Sequence, residues 1–71
     1  MNFLLSANEL YLLPLTVTLT SILENHRDED LNIYIFQNDF TNESKEIISN
    51  LVKSYNKNLF IMNIDSRYYQ N

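Results

Sequence analysis

The fold is decided by the first 25 residues, Met1-Asn-Phe-Leu-Leu-Ser-Ala-Asn-Glu-Leu-Tyr11 followed by Leu12-Leu-Pro-Leu-Thr-Val-Thr-Leu-Thr-Ser-Ile-Leu-Glu-Asn25. They predict a short apolar strand over residues 1–7, a loop over residues 8–11 and a helix over residues 12–25 that returns beneath the sheet. In open α/β sheets, ligands bind beyond the carboxyl ends of strands. The loop at residues 6–11 follows a strand that we expect to be interior, so a nucleotide is expected there.

The segment at residues 15–20 carries two conflicting signals. Its alternation of apolar and polar residues is typical of a half-buried strand, and β-branched residues are mediocre helix formers. Over a longer window, apolar residues recur at three- and four-residue steps, namely Leu12, Leu15, Leu19, Ile22 and Leu23. Pro14 lies where the first turn of a helix tolerates a missing N–H. The longer window favours a helix.

The rest of the chain predicts two further strands and one more helix. A polar connection at residues 24–30 leads to residues 31–36, which are apolar on both alternating faces, as in an interior parallel strand. Thr41 is a suitable N-cap for a second helix, whose apolar residues recur at helical spacing. Residues 59–64 predict the third strand.

These elements predict a single partial domain over residues 1–71 with an α/β fold of the βαβαβ type. Parallel crossovers are right-handed in almost all proteins, so strands in the order one, two, three would place both helices on one face. We expect the other face to be bare and to carry large side chains, including Phe3, Leu5, Tyr34, Phe36 and Phe60. Because parallel sheets are almost always covered on both faces, the pattern indicates a cover from later chain, a second copy or a partner.

Composition excludes several classes of function. The net charge is −4 and the five Lys and Arg residues are scattered, which argues against nucleic acid or an anionic membrane as a partner. Without cysteine there is no disulfide or thiolate metal site. A basic leader and a membrane-spanning run are also lacking, so we expect a soluble cytoplasmic chain. The absence of glycine excludes both a P-loop and a G-x-G-x-x-G motif.

Small polar and acidic residues follow every predicted strand. Asn8 follows the first strand, Asn38 and Asp39 the second, and Asp65 the third. They would share the rim where a nucleotide or its metal binds, but Asn and Asp are also common in ordinary turns and caps, and the pattern leaves both open. Asp28-Glu-Asp30 has the D-x-D spacing of paired metal ligands. It precedes the second strand, so we expect a solvated loop at the opposite rim.

The remaining candidate side chains lack partners for catalysis. His26 is the only histidine, and we expect it on the surface near the end of the first helix. Ser6 has no histidine placed to activate it, so a hydrolase triad is not supported. Tyr11 could stack on a nucleobase or pack as core against the second strand. Tyr68 and Tyr69 could form a similar lid, which the sequence does not decide.

Three stretches are informative when taken together: Met1-Asn-Phe-Leu-Leu-Ser-Ala-Asn-Glu-Leu-Tyr11, Leu15-Thr-Val-Thr-Leu-Thr-Ser-Ile-Leu-Glu-Asn25 and Ile33-Tyr-Ile-Phe-Gln-Asn-Asp39. In combination they resemble the amino-terminal end of bacterial glycosyltransferase family 8. Members are retaining transferases that use UDP-glucose or UDP-galactose on a Rossmann-like GT-A fold. The resemblance implies half of such a fold. It also implies that Ser6 and Ala7 meet the nucleoside, Asn8 hydrogen-bonds it and Tyr11 packs on uracil.

Departures from the family pattern limit what the chain is expected to do alone. Glu9 and Leu10 stand where family members commonly have a polar pair such as Asp-Asn. The family's metal-binding D-x-D, a further metal-ligating histidine and the acceptor site come later in the chain. We therefore expect Mn²⁺ or Mg²⁺ in a full-length parent enzyme, no metal site within this chain, and no sugar transfer by this chain alone. The alternative is a small non-catalytic module that self-associates or docks a partner through its bare face.

Overall fold

A computed structural model describes residues 1–64 of the chain. Its strands and helices alternate as the sequence predicts, which confirms the βαβαβ fold. They are β1 (Asn2–Ser6), a 3-10 turn (Glu9–Tyr11), α1 (Leu12–Asn25), β2 (Asn32–Gln37), α2 (Asn42–Lys53) and β3 (Asn58–Asn63). None of the helices within residues 1–64 is long and apolar enough to cross a membrane.

The three strands form one parallel sheet in the order β1-β2-β3. Phe3 lies opposite Ile33, and Ile33 lies opposite Leu59, which fixes the register. Within residues 1–64, β2 is central and β1 lies at an edge, so the expectation of an interior first strand is wrong for this part of the chain. The reason is that both crossovers step in the same direction across the sheet, which the apolar character of β1 does not reveal.

The ambiguous segment at residues 15–20 is helical and lies within α1, so the strand alternative is wrong. Three leucines are buried on one face of α1, namely Leu15, Leu19 and Leu23. Two of its threonines bond their hydroxyls within the chain of the helix: Thr16 Oγ1 donates to Leu13 O at 2.7 Å, and Thr20 Oγ1 donates to Thr16 O at 2.8 Å. Burial of the leucine face therefore outweighs the modest helix propensity of the β-branched residues.

The core lies between the two helices and one face of the sheet. It consists of Leu15, Leu19, Leu23, Leu31, Ile33, Ile35, Phe40, Ile48 and Val52. Phe3 and Leu5, which the sequence predicted for the bare face, pack against this core instead. Successive strand residues point to opposite faces, so a one-residue error of phase moves a whole set of side chains to the wrong side.

The opposite face of the sheet is left uncovered by residues 1–64, as the sequence predicts. Tyr34, Phe36 and Phe60 lie there as expected, and the register adds Leu4 and Met62. Leu4 exposes 66% of its surface, and Phe60 and Met62 each expose 44%. The Tyr34 and Phe60 rings stack with their centroids 5.0 Å apart. These five side chains are called the bare face below.

Both ends of α2 carry recognisable local signals. Thr41 is the N-cap, as predicted, and its Oγ1 accepts a hydrogen bond from Ser44 N at 3.1 Å. Beyond the helix, Asn56 adopts a left-handed conformation with φ 58°, which Asn tolerates better than most residues. Lys57 Nζ then donates to Arg27 O at 2.8 Å and joins this end of α2 to the loop after α1.

A tyrosine in the turn after α2 contacts a carboxylate of α1. Tyr55 Oη donates a hydrogen bond to Glu24 Oε2 at 2.6 Å, and Arg27 contacts the same carboxylate. The Tyr55 hydrogen bond, assisted by Arg27, holds the pKa of Glu24 below its ordinary value of 4.5. The Glu24 carboxylate in turn raises the pKa of Tyr55 above its ordinary value of 10.0.

This contact should make stability depend on pH at both extremes. The contribution of Glu24 is present above pH 4.5 and is lost as the pH falls through its lowered folded pKa. The contribution of Tyr55 is present below pH 10.0 and is lost as the pH rises through its raised folded pKa. We expect Tyr55→Phe to be less stable than the wild type at pH 7, with the difference shrinking at both extremes. Urea unfolding across pH measures this, and a pH-independent difference would contradict it.

Candidate functional site

One cleft lies beyond the carboxyl ends of β1 and β2. It has a volume of about 420 Å³ and is lined by Ser6, Ala7, Asn8, Tyr11 and Asn38. This volume lies within the range typical of small-molecule sites. The four residues that the sequence predicts to contact a nucleoside thus come together around one opening, and the first residue after β2 joins them.

The turn after β1 shapes the wall of the cleft. Ala7 N donates to Phe36 O at 3.1 Å, so the ladder between β1 and β2 continues one residue beyond the end of β1. Asn8 is extended, with φ −119° and ψ 174°, and its side chain does not cap the turn that follows. Tyr11 N closes this turn by donating to Asn8 O at 3.0 Å. The extended Asn8 and the short turn place the two side chains beside one opening.

Tyr11 stands at the cleft as a half-exposed ring. Its side chain exposes 55% of its surface, so the alternative that it packs as core against β2 is wrong. The same ring also lines a second hollow of about 210 Å³ between β1 and the start of α1, together with Pro14, Leu15 and Thr18. An aromatic face at such a mouth is available to a flat ligand, and little core packing depends on it.

Asp39 follows the turn alternative, one of the two roles that the sequence leaves open for the rim residues. Its Oδ1 accepts a hydrogen bond from Glu9 N at 2.9 Å, and Asp39 does not line the cleft. Asn8 and Asn38 do line it, whereas Asp65, like the proposed lid of Tyr68 and Tyr69, lies outside the described residues. Of the predicted rim residues that the structure describes, Asn8 and Asn38 therefore lie at the opening, and Asp39 holds the loop after β1.

Gln37 supports the turn beside the cleft, which the sequence did not predict. It is the last residue of β2, it is buried, and its amide is satisfied on both sides. Nε2 donates to Asn63 Oδ1 at 2.6 Å, while Oε1 accepts from Phe40 N at 2.9 Å. These bonds fix the turn that carries Asn38. The sequence held a signal for this role. Gln37 continues the alternation of the buried residues Ile33 and Ile35, and a polar side chain in such a buried series needs hydrogen-bond partners.

The described residues do not fit a divalent cation. Within residues 1–64, His, Cys, Asp and Glu side chains form no group of three that could hold a metal ion. Asp28-Glu-Asp30 precedes β2 and lies at the amino-terminal rim, as predicted, at the opposite end of the sheet from the cleft. His26 Nδ1 lies 3.0 Å from Glu29 Oε1, and its ring contacts Phe3, also at that end.

The lining that residues 1–64 give to the cleft is polar and uncharged. It offers the Ser6 hydroxyl, the amides of Asn8 and Asn38 and the Tyr11 phenol, and no Lys or Arg of the described residues belongs to it. Such groups donate and accept hydrogen bonds with neutral partners. Among residues 1–64 this lining presents no cation to a phosphate, and its groups can pair with a flat, neutral, hydrogen-bonding ligand such as a nucleobase.

Comparison with known proteins gives one match. A protein-family model described as glycosyl transferase family 8 matches residues 2–71. Neither the curated proteins nor the solved structures yield a match.

Proposed function

Since this chain belongs to glycosyl transferase family 8, we propose that it supplies the part of a hexosyltransferase that binds the uridine of a UDP-sugar. The observation that carries the proposal is the convergence of Ser6, Ala7, Asn8 and Tyr11 on one cleft beyond parallel strands. Those are the residues at which members of the family are expected to meet the nucleoside. The position also agrees with the general rule for ligands of open α/β sheets.

The proposed contacts follow from the chemistry of the lining. Uracil presents one N–H donor and two carbonyl acceptors, and the Asn8 and Asn38 amides can each donate and accept. The Tyr11 ring offers a face for stacking, which is independent of those hydrogen bonds. The Ser6 hydroxyl is the remaining neutral polar group beside the sugar or the base. Together these groups recognise the nucleoside end of the donor.

The diphosphate and the sugar need partners other than the cleft lining. Without a cation, the charge that develops on the leaving UDP is not neutralised. We therefore propose that Mn²⁺ or Mg²⁺ acts in a parent enzyme on groups outside the described residues, and that the 71-residue chain does not transfer sugar by itself. Incubation with UDP-glucose or UDP-galactose and Mn²⁺ should release no UDP above a protein-free blank. Release above that blank would refute the inactivity.

Titration of the ¹⁵N-labelled chain tests the nucleoside site. We expect uridine and UDP to shift the amide signals of residues 6–11 and of Asn38, and to do so with similar affinity because no Lys or Arg within the described residues 1–64 lines the cleft. ADP is the control, since a purine presents a different pattern of donors and acceptors. Absence of shifts at these amides, or equal shifts with ADP, would contradict a uridine site.

A second candidate function, self-association, is favoured by the bare face. Its five side chains lie in two cross-strand rows, namely Leu4, Tyr34 and Phe60, and Ser6, Phe36 and Met62, and a third row of Asn2, Asn32 and Asn58 lies beside them. None of these nine residues is charged. The asparagines bond to one another, with Asn32 Nδ2 3.0 Å from Asn2 Oδ1 and Asn58 Nδ2 2.9 Å from Asn32 Oδ1. Two identical uncharged faces can meet without like-charge contacts, so we infer that the occupant is a second copy.

Sedimentation velocity at increasing concentration tests self-association. We expect a reversible dimer without ligand, which Phe60→Lys abolishes by placing a charge in the middle row. Val17→Lys is the matched control, because Val17 is an exposed apolar residue on α1, 70% accessible and away from the bare face. A wild type that stays monomeric, or a dimer that survives Phe60→Lys, would overturn the inference.

A further inference from the structure

Glu9 lies in the loop that lines the cleft but directs its carboxylate away from it. The carboxylate accepts a hydrogen bond from the Ser44 hydroxyl, with Ser44 Oγ 2.6 Å from Oε1 and 2.8 Å from Oε2. Ser44 belongs to the first turn of α2 and is only 3% exposed. Thr41 Oγ1 lies 3.0 Å from Ser44 Oγ and 3.4 Å from Glu9 Oε1, within the same cluster.

The surroundings favour an anion at this position. The first turn of a helix carries a partial positive charge, and α2 begins at Asn42. The buried Ser44 hydroxyl needs an acceptor, since an unpaired polar group inside a protein is costly. Glu9 supplies that acceptor from 35 residues earlier in the chain. The contact therefore satisfies both the hydroxyl and the end of the helix.

The backbone of the same residue is held separately. Glu9 N donates to Asp39 Oδ1 at 2.9 Å, so the loop after β1 is bonded to the segment between β2 and α2 as well as to α2 itself. Residues on both sides of Glu9 line the cleft, namely Asn8 immediately before it and Tyr11 two residues later. A displacement of Glu9 should therefore also displace Asn8 and Tyr11, because the three residues belong to one short turn and its cap.

We propose that Glu9 is a positioning residue for the nucleoside: its bond to Ser44 anchors the turn at residues 9–11 on α2 and so sets the separation of Asn8 and Tyr11. The expected effect of Glu9 on UDP affinity rests on the proposed function, whereas its expected effect on the turn at residues 9–11 does not. Glu9 itself does not line the cleft, and no contact between Glu9 and the nucleoside is invoked. Its contribution is preorganisation, which lowers the cost of ordering the loop on binding.

The test compares variants of the full chain by amide hydrogen exchange and by UDP titration. Glu9→Ala removes the acceptor, whereas Glu9→Gln keeps a carbonyl oxygen for Ser44 and changes only the charge. We expect Glu9→Ala to speed exchange at residues 9–11 and to raise the Kd for UDP by about tenfold, a cost on the scale of one charged hydrogen bond. Glu9→Gln should give exchange and affinity between those of Glu9→Ala and the wild type, because the acceptor for Ser44 remains while the charge beside the start of α2 is lost.

Matched controls separate this role from general damage. Glu43 is an exposed residue in the first turn of α2, the turn that also contains Ser44. Glu43→Ala removes one negative charge there and should change neither the amide exchange of residues 9–11 nor the Kd for UDP. Ser44→Ala removes the donor from the other side, so its effect on loop exchange should not add to that of Glu9→Ala. Additive effects, or wild-type exchange and affinity in Glu9→Ala, would overturn the inference. If the wild type binds no UDP, the proposed function fails, and loop exchange alone decides whether Glu9 positions the turn.

Discussion

Replacing Leu19 by alanine is expected to lower the free energy of unfolding by about 3 kcal/mol. Leu19 is fully buried in the middle of α1, between the sheet and α2. The loss combines the transfer free energy of the removed methyl groups with the cavity they leave. A chain of 71 residues has a total stability of only roughly 4 to 10 kcal/mol at ordinary per-residue values. The variant should therefore lose a large part of this stability and unfold at a clearly lower urea concentration than the wild type, which urea unfolding followed by circular dichroism measures.

Leu13→Ala provides a matched control on the same helix. Leu13 exposes 77% of its surface, so the identical chemical change should cost within about 0.5 kcal/mol. Similar losses for both variants would show that helix propensity, not burial, holds α1 in place. That result would also remove the reason why residues 15–20 form a helix in this fold.

The fold was largely predictable because most of its signals are local. The leucine spacing of α1 continues over a longer window than the alternation at residues 15–20, so it correctly predicted a helix. Thr41 as a cap and the period of α2 are equally local, because they depend on residues within one or two turns. Each of these predictions requires no knowledge of what the element packs against.

The phase of β1 was not predictable for a physical reason. Residues 3, 4 and 5 are all apolar, so the strand carries no alternation that separates its two faces. The choice is made in the folded chain by the register with Ile33 and Ile35, which are fully buried. The edge position of β1 was also not predictable from the strand itself, because it depends on the direction of both crossovers.

The location of the site was predictable, but the hydrogen bonds that support it were not. Topology alone places the loop after β1 beside the residue after β2, which is why Asn8 and Asn38 lie at one opening. The bond between Glu9 and Ser44 spans 35 residues and has no local pattern. One clue existed: Ser44 shares the buried face of α2 with Ile48 and Val52, and a polar residue on such a face needs a partner.

Replacing Tyr11 by alanine is expected to raise the Kd for UDP by about tenfold, because stacking of a base on an aromatic ring is worth about 1–3 kcal/mol. The ring is half exposed, so its loss should cost little stability. Tyr11→Phe keeps the stacking face and should bind UDP almost as the wild type does. NMR titration of the three proteins gives the affinities, and urea unfolding verifies that each is folded.

The comparison of the two variants identifies which part of Tyr11 acts. If Tyr11→Phe loses as much affinity as Tyr11→Ala, the hydroxyl makes the important contact and the proposal of stacking is wrong. Leu10→Ala is the control for disturbance of the turn, because Leu10 is its neighbour, exposes 81% of its surface and does not line the cleft. Equal losses in Leu10→Ala and Tyr11→Ala would mean that the shape of the turn, and not the ring, governs binding. Only a loss confined to Tyr11→Ala assigns the base to the aromatic face.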